Sequence, residues 1–131
     1  MAVVSGTVQN VHGHTAAGGP KFNGSGVLLL TCVVTATFTG TYAQADNAQI
    51  SAVKTAIQNS RNDGRTVTLL QAMMEHPGME GTTPIGAKTV AVSTADLTME
   101  LTTSDMSTEH AGAALSTMTA PIGFRVLYSL A

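Results

Sequence analysis

The chain has 131 residues, 44% of them hydrophobic, enough apolar material for one domain with a modest core. Only 11% are charged, against roughly 25% in ordinary soluble proteins, and the net charge is −2. The six basic residues are scattered, only Arg61 and Arg65 lying close together, which argues against direct nucleic-acid binding. No apolar stretch approaches the roughly 20 residues of a membrane-spanning helix, and the start MAVVSGTVQN lacks the features of a signal peptide, so the expectation is a protein made in a cytoplasm with no membrane partner.

A chain this poor in charge either solvates itself with Thr, Ser, Asn and Gln or covers much of its surface with partners. Seven Met and thirteen Gly favour the second. The single cysteine, Cys32, excludes an intramolecular disulfide.

In chain order, Ala2 to Val8 predicts a short strand broken or bulged at Gly6. Asn10 to Gly26 holds Gly13, Gly18, Gly19, Pro20, Asn23, Gly24 and Gly26, the chemistry of a loop or of an arm ordered against another subunit. Leu28 to Tyr42 follows, LLLTCVVTATFTGTY, and alternates with period 2. Leu28, Leu30, Cys32, Val34, Ala36, Phe38 and Tyr42 share an apolar face; Thr31, Thr35, Thr37, Thr39 and Thr41 share the other. Fully extended, this run would span roughly 50 Å, too long for a compact domain of this size, so it must bend, with Gly40 the candidate, or project toward a neighbour.

Asp46 predicts a helix start, with Gln49 three residues on and Ile50, Val53 and Ile57 as one apolar stripe. The helix should stop between Asn59 and Asn62, ahead of Asp63-Gly64. Arg65 to Gln71 reads as a strand, Met73 to Pro84 as a loop punctuated by Pro77, Gly78, Gly81 and Pro84, and Lys88 to Val92 as a strand. Beyond it the apolar register moves from Val90 and Val92 to Leu97, Met99 and Leu101, which requires a hairpin or a bent strand. Ser104 to Thr119 is ambiguous, with Asp105 or Ser107 available to cap a helical turn. Phe124, Val126, Tyr128 and Leu130 alternate in a closing strand. The sum is a single β-rich domain over residues 1–131, mainly β with one short α-helix, a β-sandwich or barrel-like fold of five to seven strands.

Constellations that carry chemistry are weak. His12-x-His14 could share a metal on a strand, but no carboxylate or thiol nearby completes a shell. Ser107-Thr108-Glu109-His110 has the residue types of a triad as sequence neighbours, which ordinarily point apart. Cys32 has no basic neighbour to activate it. The expectation is no enzyme, no metal and no cofactor. Met73, Met74 and Met79 are either an adaptable contact surface or gap-fillers in a core with only 4% aromatics.

From Thr37 to Leu69, TFTGTYAQADNAQISAVKTAIQNSRNDGRTVTL resembles small tailed-bacteriophage virion proteins of the head-decoration, or capsid cement, kind. These pair a strand ending in a G-T-Y-like segment with an acidic-capped helix and a following strand. The resemblance implies a β-rich fold with a helix, assembly as trimers or dimers on the outside of the capsid shell, the major capsid protein as partner, and no catalysis. The chain departs from the best-known trimeric members in lacking a Pro-rich N-terminal arm. On this reading the subunit contacts fall to Thr35, Thr37, Thr39 and Thr41 and to Met73, Met74 and Met79. Two other readings stay open: another self-assembling virion part, such as a tail-tube, neck or small coat protein, and a small metal-binding or enzymatic module.

Overall fold

A computed structural model of the chain describes residues 4–16, 28–44, 47–112, 115 and 118–131. Its elements are β1 (Val4–Ala16), β2 (Leu28–Thr39), β3 (Ala48–Ile50), α1 (Val53–Arg61), β4 (Val67–His76), β5 (Gly78–Glu80), β6 (Thr83–Val92), β7 (Leu97–Thr102), β8 (Met118–Ala120) and β9 (Ile122–Leu130). The nine strands form one sheet in the order β4-β9-β2-β1-β3-β7-β6-β5-β8, curled into a half-barrel. The fold is therefore mainly β and barrel-like with one short helix. The count exceeds the expected five to seven because β3, β5 and β8 are three-residue segments with too little alternation to be read from sequence.

The β2 strand follows its period. Cys32, Val34, Ala36 and Phe38 are buried on the inner face, against Val126 and Phe124 of β9 and Val4 of β1. β9 lies between β2 and β4, with Phe124, Val126, Tyr128 and Leu130 all inside. The bend falls at Gly40, whose φ of 114° L side chains rarely adopt and where an added β-carbon would lie 3.6 Å from the Val4 α-carbon.

β1 corrects the sequence reading. Gly6 does not break it; the strand runs on to Ala16, so residues 10–16 of the expected loop are a ladder with β2. The remainder of that loop lies outside the described residues. β2 is long enough to offer hydrogen bonds as far as Leu30, and two bulges absorb the irregular sequence, one at Gln9 and one at Gly13-His14, where Gly13 takes φ 71°. Gly6 serves another purpose: a β-carbon there would lie 2.8 Å from Phe38 Cε1 and 2.9 Å from Ile50 Cγ1.

The helix start is also corrected. Asp46 lies outside the described residues, and Gln49 and Ile50 belong to β3, parallel to β1 and antiparallel to β7. Ile50 is thus a core strand residue, while Val53 and Ile57 carry the helical stripe. α1 begins after Ala52, at φ 60° and with no side-chain cap of its own. Its free N–H groups go to the β6–β7 turn instead: Asp96 Oδ1 accepts from the Ala52 N–H at 2.8 Å, and the Ala95 carbonyl from the Lys54 N–H at 3.1 Å. The stop is as expected, at Asn62 in the left-handed conformation with its N–H on the Gln58 carbonyl.

The expected loop from Met73 to Pro84 is mostly strand. β4 continues to His76, and its hydrogen bonds to β9 outweigh the weak propensity of Met-Met-Glu-His. The punctuating residues mark strand ends: Pro77 separates β4 from β5, and Gly81 (φ 60°) turns β5 into β6. The register change after Val92 is a hairpin closed by the Ser93 N–H on the Asp96 carbonyl. Residues 103–112 form a loop, and the expected helical turn does not appear in its described part.

Candidate functional site

The half-barrel does not close. β4 pairs with β9 on one edge only, and the Gly86–Val92 part of β6 pairs with β7 only. These two unladdered edges face each other in antiparallel sense. One clasp crosses them, the Thr89 hydroxyl donating to the Ala72 carbonyl at 2.6 Å. Two hollows lie along the seam. At one, Met73, Met74, Thr89 and Met106 surround about 350 Å³; at the other, Val67, Leu69 and Val92 line about 390 Å³ with Lys54.

Among the described residues the exposed large apolar side chains are Leu70 (45%), Met73 (56%), Val90 (52%) and Met106 (43%). Leu70 and Met73 stand on β4 and Val90 on β6, the two strands that flank the seam; Met106 reaches it from the 103–112 loop. Its position is imposed rather than incidental. Asp105 Oδ1 accepts from the Ser107 N–H, the Ser107 hydroxyl and the Thr103 hydroxyl, and these bonds hold its carboxyl down at about 2. The knot forces Met106 to φ 62°, a conformation that costs a residue with a β-carbon about 1 kcal/mol or more.

The methionines singled out from sequence separate. Met73 is exposed opposite Arg125, Met74 turns inward and packs on the core, and Met79 sits in β5 opposite Pro84 and Ala120. Of the two readings, gap-filling describes Met74, while Met73 is exposed. Met106 was missed, because nothing in the sequence distinguishes a left-handed loop tip from any other Asp-Met-Ser.

The threonine row separates too. Thr35 is only 8% exposed and reaches the Asn10 carbonyl, and Thr37 accepts a hydrogen bond from the Gln9 amide at 3.0 Å. Thr31 is covered by Arg125, which is held in place by Glu75. Thr39 and Thr41, at the Gly40 bend, are exposed. A stripe that reads as uniform in sequence is therefore free only at its C-terminal end, because side chains of β1 and β9 lie over the rest.

The histidines are tied internally. The Gly13 bulge parts the His12-x-His14 pair: His12 Nδ1 meets Asn10, while His14 has Nδ1 at 2.8 Å from the Tyr128 hydroxyl and Nε2 at 2.9 Å from Ser60 Oγ. Arg61 Nη1 donates to the same Tyr128 oxygen and is itself gripped by Asp63. One ordering gives every proton an acceptor: Arg61 donates to Tyr128, Tyr128 to His14 Nδ1, His14 Nε2–H to Ser60, and Ser60 to the Val11 carbonyl. His14 is then a donor to the serine, so Ser60 is not an activated nucleophile. Burial and the neighbouring Arg61 both lower the His14 pKa. Elsewhere Tyr42 donates to Glu109, and His110 pairs with Glu80. The residues of Ser107-Thr108-Glu109-His110 therefore point to different partners. Burial pushes the Cys32 thiol up to about 12. Among the described residues no group of three or more His, Cys, Asp or Glu is arranged to hold a metal ion. No protein-family model, curated protein or solved structure matches the chain at a significant level.

Proposed function

We propose that the chain is a structural virion protein of a tailed bacteriophage, a capsid cement or decoration protein that binds the major capsid protein on the outside of the shell and stabilises it. The observation that carries the reading is the seam: the four exposed large apolar side chains of the described residues gather along one unclosed edge of the barrel instead of scattering over the surface. Low charge supports it, since a surface with few charges can be buried against a partner with little desolvation cost. The resemblance of Thr37 to Leu69 to cement proteins supports it through the strand ending in Gly40-Thr41-Tyr42 and the helix and strand that follow, but not through a local acidic helix cap, which α1 lacks. Two contacts are implied, one to the shell through the seam and one between copies of the chain through the exposed end of β2 at Thr39 and Thr41.

Light-scattering mass of the purified protein, followed by electron microscopy of the particle it came from, tests the proposal. A homotrimer or homodimer and density on the outer shell are expected. A monomer missing from the particles overturns it, and rings or tubes on purification would mark a tail-tube or neck component instead. In the same assay Thr39→Lys should lower the oligomer mass while the unfolding free energy stays within about 0.5 kcal/mol of the parent.

A further inference from the structure

We infer that the occupant of the β4–β6 seam is an extended segment of the partner protein that carries carboxylates alternating with apolar side chains, and not a second copy of this chain. The inference rests on the reading of the seam as a contact surface and adds the chemistry of what fills it.

Backbone geometry sets the shape of the occupant. Two strand edges run along the seam with no ladder partner on that side, and a chain that follows their course is itself extended. The Thr89–Ala72 clasp keeps a strand from inserting between them, so the segment lies along the seam and over the clasp. Its apolar side chains dip between Met73 and Met106, where unbranched thioethers adapt to the shape they receive.

Charge sets the chemistry. The charged side chains that line the two hollows are Lys88 in one and Lys54 in the other. Neither is in an ion pair among the described residues; Glu100 stands across from Lys88 on β7 without closing one. Among the described residues the chain has little to offer this pair from a second copy. Asp63, Glu75 and Glu80 are in ion pairs, Asp96 holds the start of α1, Asp105 holds its loop, Glu109 takes the Tyr42 hydroxyl, and the remaining carboxylate, Glu100, stands beside Lys88 of its own copy. Carboxylates of a different protein meet both lysines without breaking any of these bonds.

The test uses three capped octapeptides, one alternating Glu and Leu, one Lys and Leu, one Glu and Ser, titrated into the intact protein by calorimetry and by amide chemical shifts. The Glu-Leu peptide should bind about tenfold more tightly than either of the others, weaken with added salt, and shift amides of residues 70–74, 88–92 and 106. Lys88→Gln should reduce its affinity several-fold. Met106→Gly should do the same with the fold intact, because glycine accepts φ 62° at no steric cost. Equal binding of the Glu and Lys peptides, shifts elsewhere, or no binding overturns the inference. So does a light-scattering mass, without peptide, that falls in Met106→Gly, since that outcome makes the occupant a second copy. Microscopy of the particle reads the virion assignment separately: protein on the shell with no peptide preference removes this occupant alone, and peptide binding by a protein absent from particles removes only the virion role.

Discussion

Tyr128 shows how one atom can join three elements. Its hydroxyl sits between Arg61 of α1 and His14 of β1, while its ring fills the core from β9. Tyr128→Phe keeps the packing and strands two polar partners, so it should cost about 1–3 kcal/mol in urea unfolding. The pH dependence follows from His14. Its pKa is lowered in the folded state, so between that value and the ordinary value of about 6.5 the unfolded chain binds more protons. Stability contributed by this group is full above pH about 6.5 and declines as the pH falls below it. Urea midpoints at pH 7.5 and 5.5, values bracketing that pKa of about 6.5, should differ less in His14→Gln than in the parent. Gly6 makes the complementary point about space. A methyl group there meets Phe38 and Ile50 below 3 Å, and Gly6→Ala should destabilise by about 1–3 kcal/mol in the same assay.

At the scale of elements, α1 depends on a residue 44 positions away from its start. Asp96 accepts the Ala52 N–H and also holds Gln49 of β3, so one carboxylate positions both a strand end and a helix start. Asp96→Ala should cost about 1–2 kcal/mol, the range of a lost helix cap, and amide exchange should rise first in the opening turn of α1. The sequence pointed to Asp46 because capping rules are local, whereas this cap is supplied by another hairpin. β4 and β1 teach the same lesson for strands. The Asn, His and Met positions that read as loop are carried into the ladder by long neighbours, β9 and β2, whose own alternation is strong. Propensity is a weak prior once a partner edge is in place.

For the whole molecule, what was legible was whatever depended on one element alone. The period of β2 and β9, the bend at Gly40, the helical stripe of Val53 and Ile57, the stop at Asn62 and the register change after Val92 all follow from spacing and turn chemistry, and together they determine a mainly β chain with one short helix, leaving sandwich or barrel to the tertiary structure. The exposure of the residues proposed for contact was legible only in part. Thr39, Thr41 and Met73 are exposed, whereas Thr35 and Met74 are covered and Met106 was unmarked, because alternation assigns a side chain to a face but not to what lies over that face. Only the tertiary structure decided that the barrel stays open between β4 and β6, that His12 and His14 part at a bulge, and that the apolar surface collects along the seam. The physical reason is common to all three. Each is set by the distance between segments far apart in sequence, which local periodicity does not encode and which the packing of nine strands around one core does.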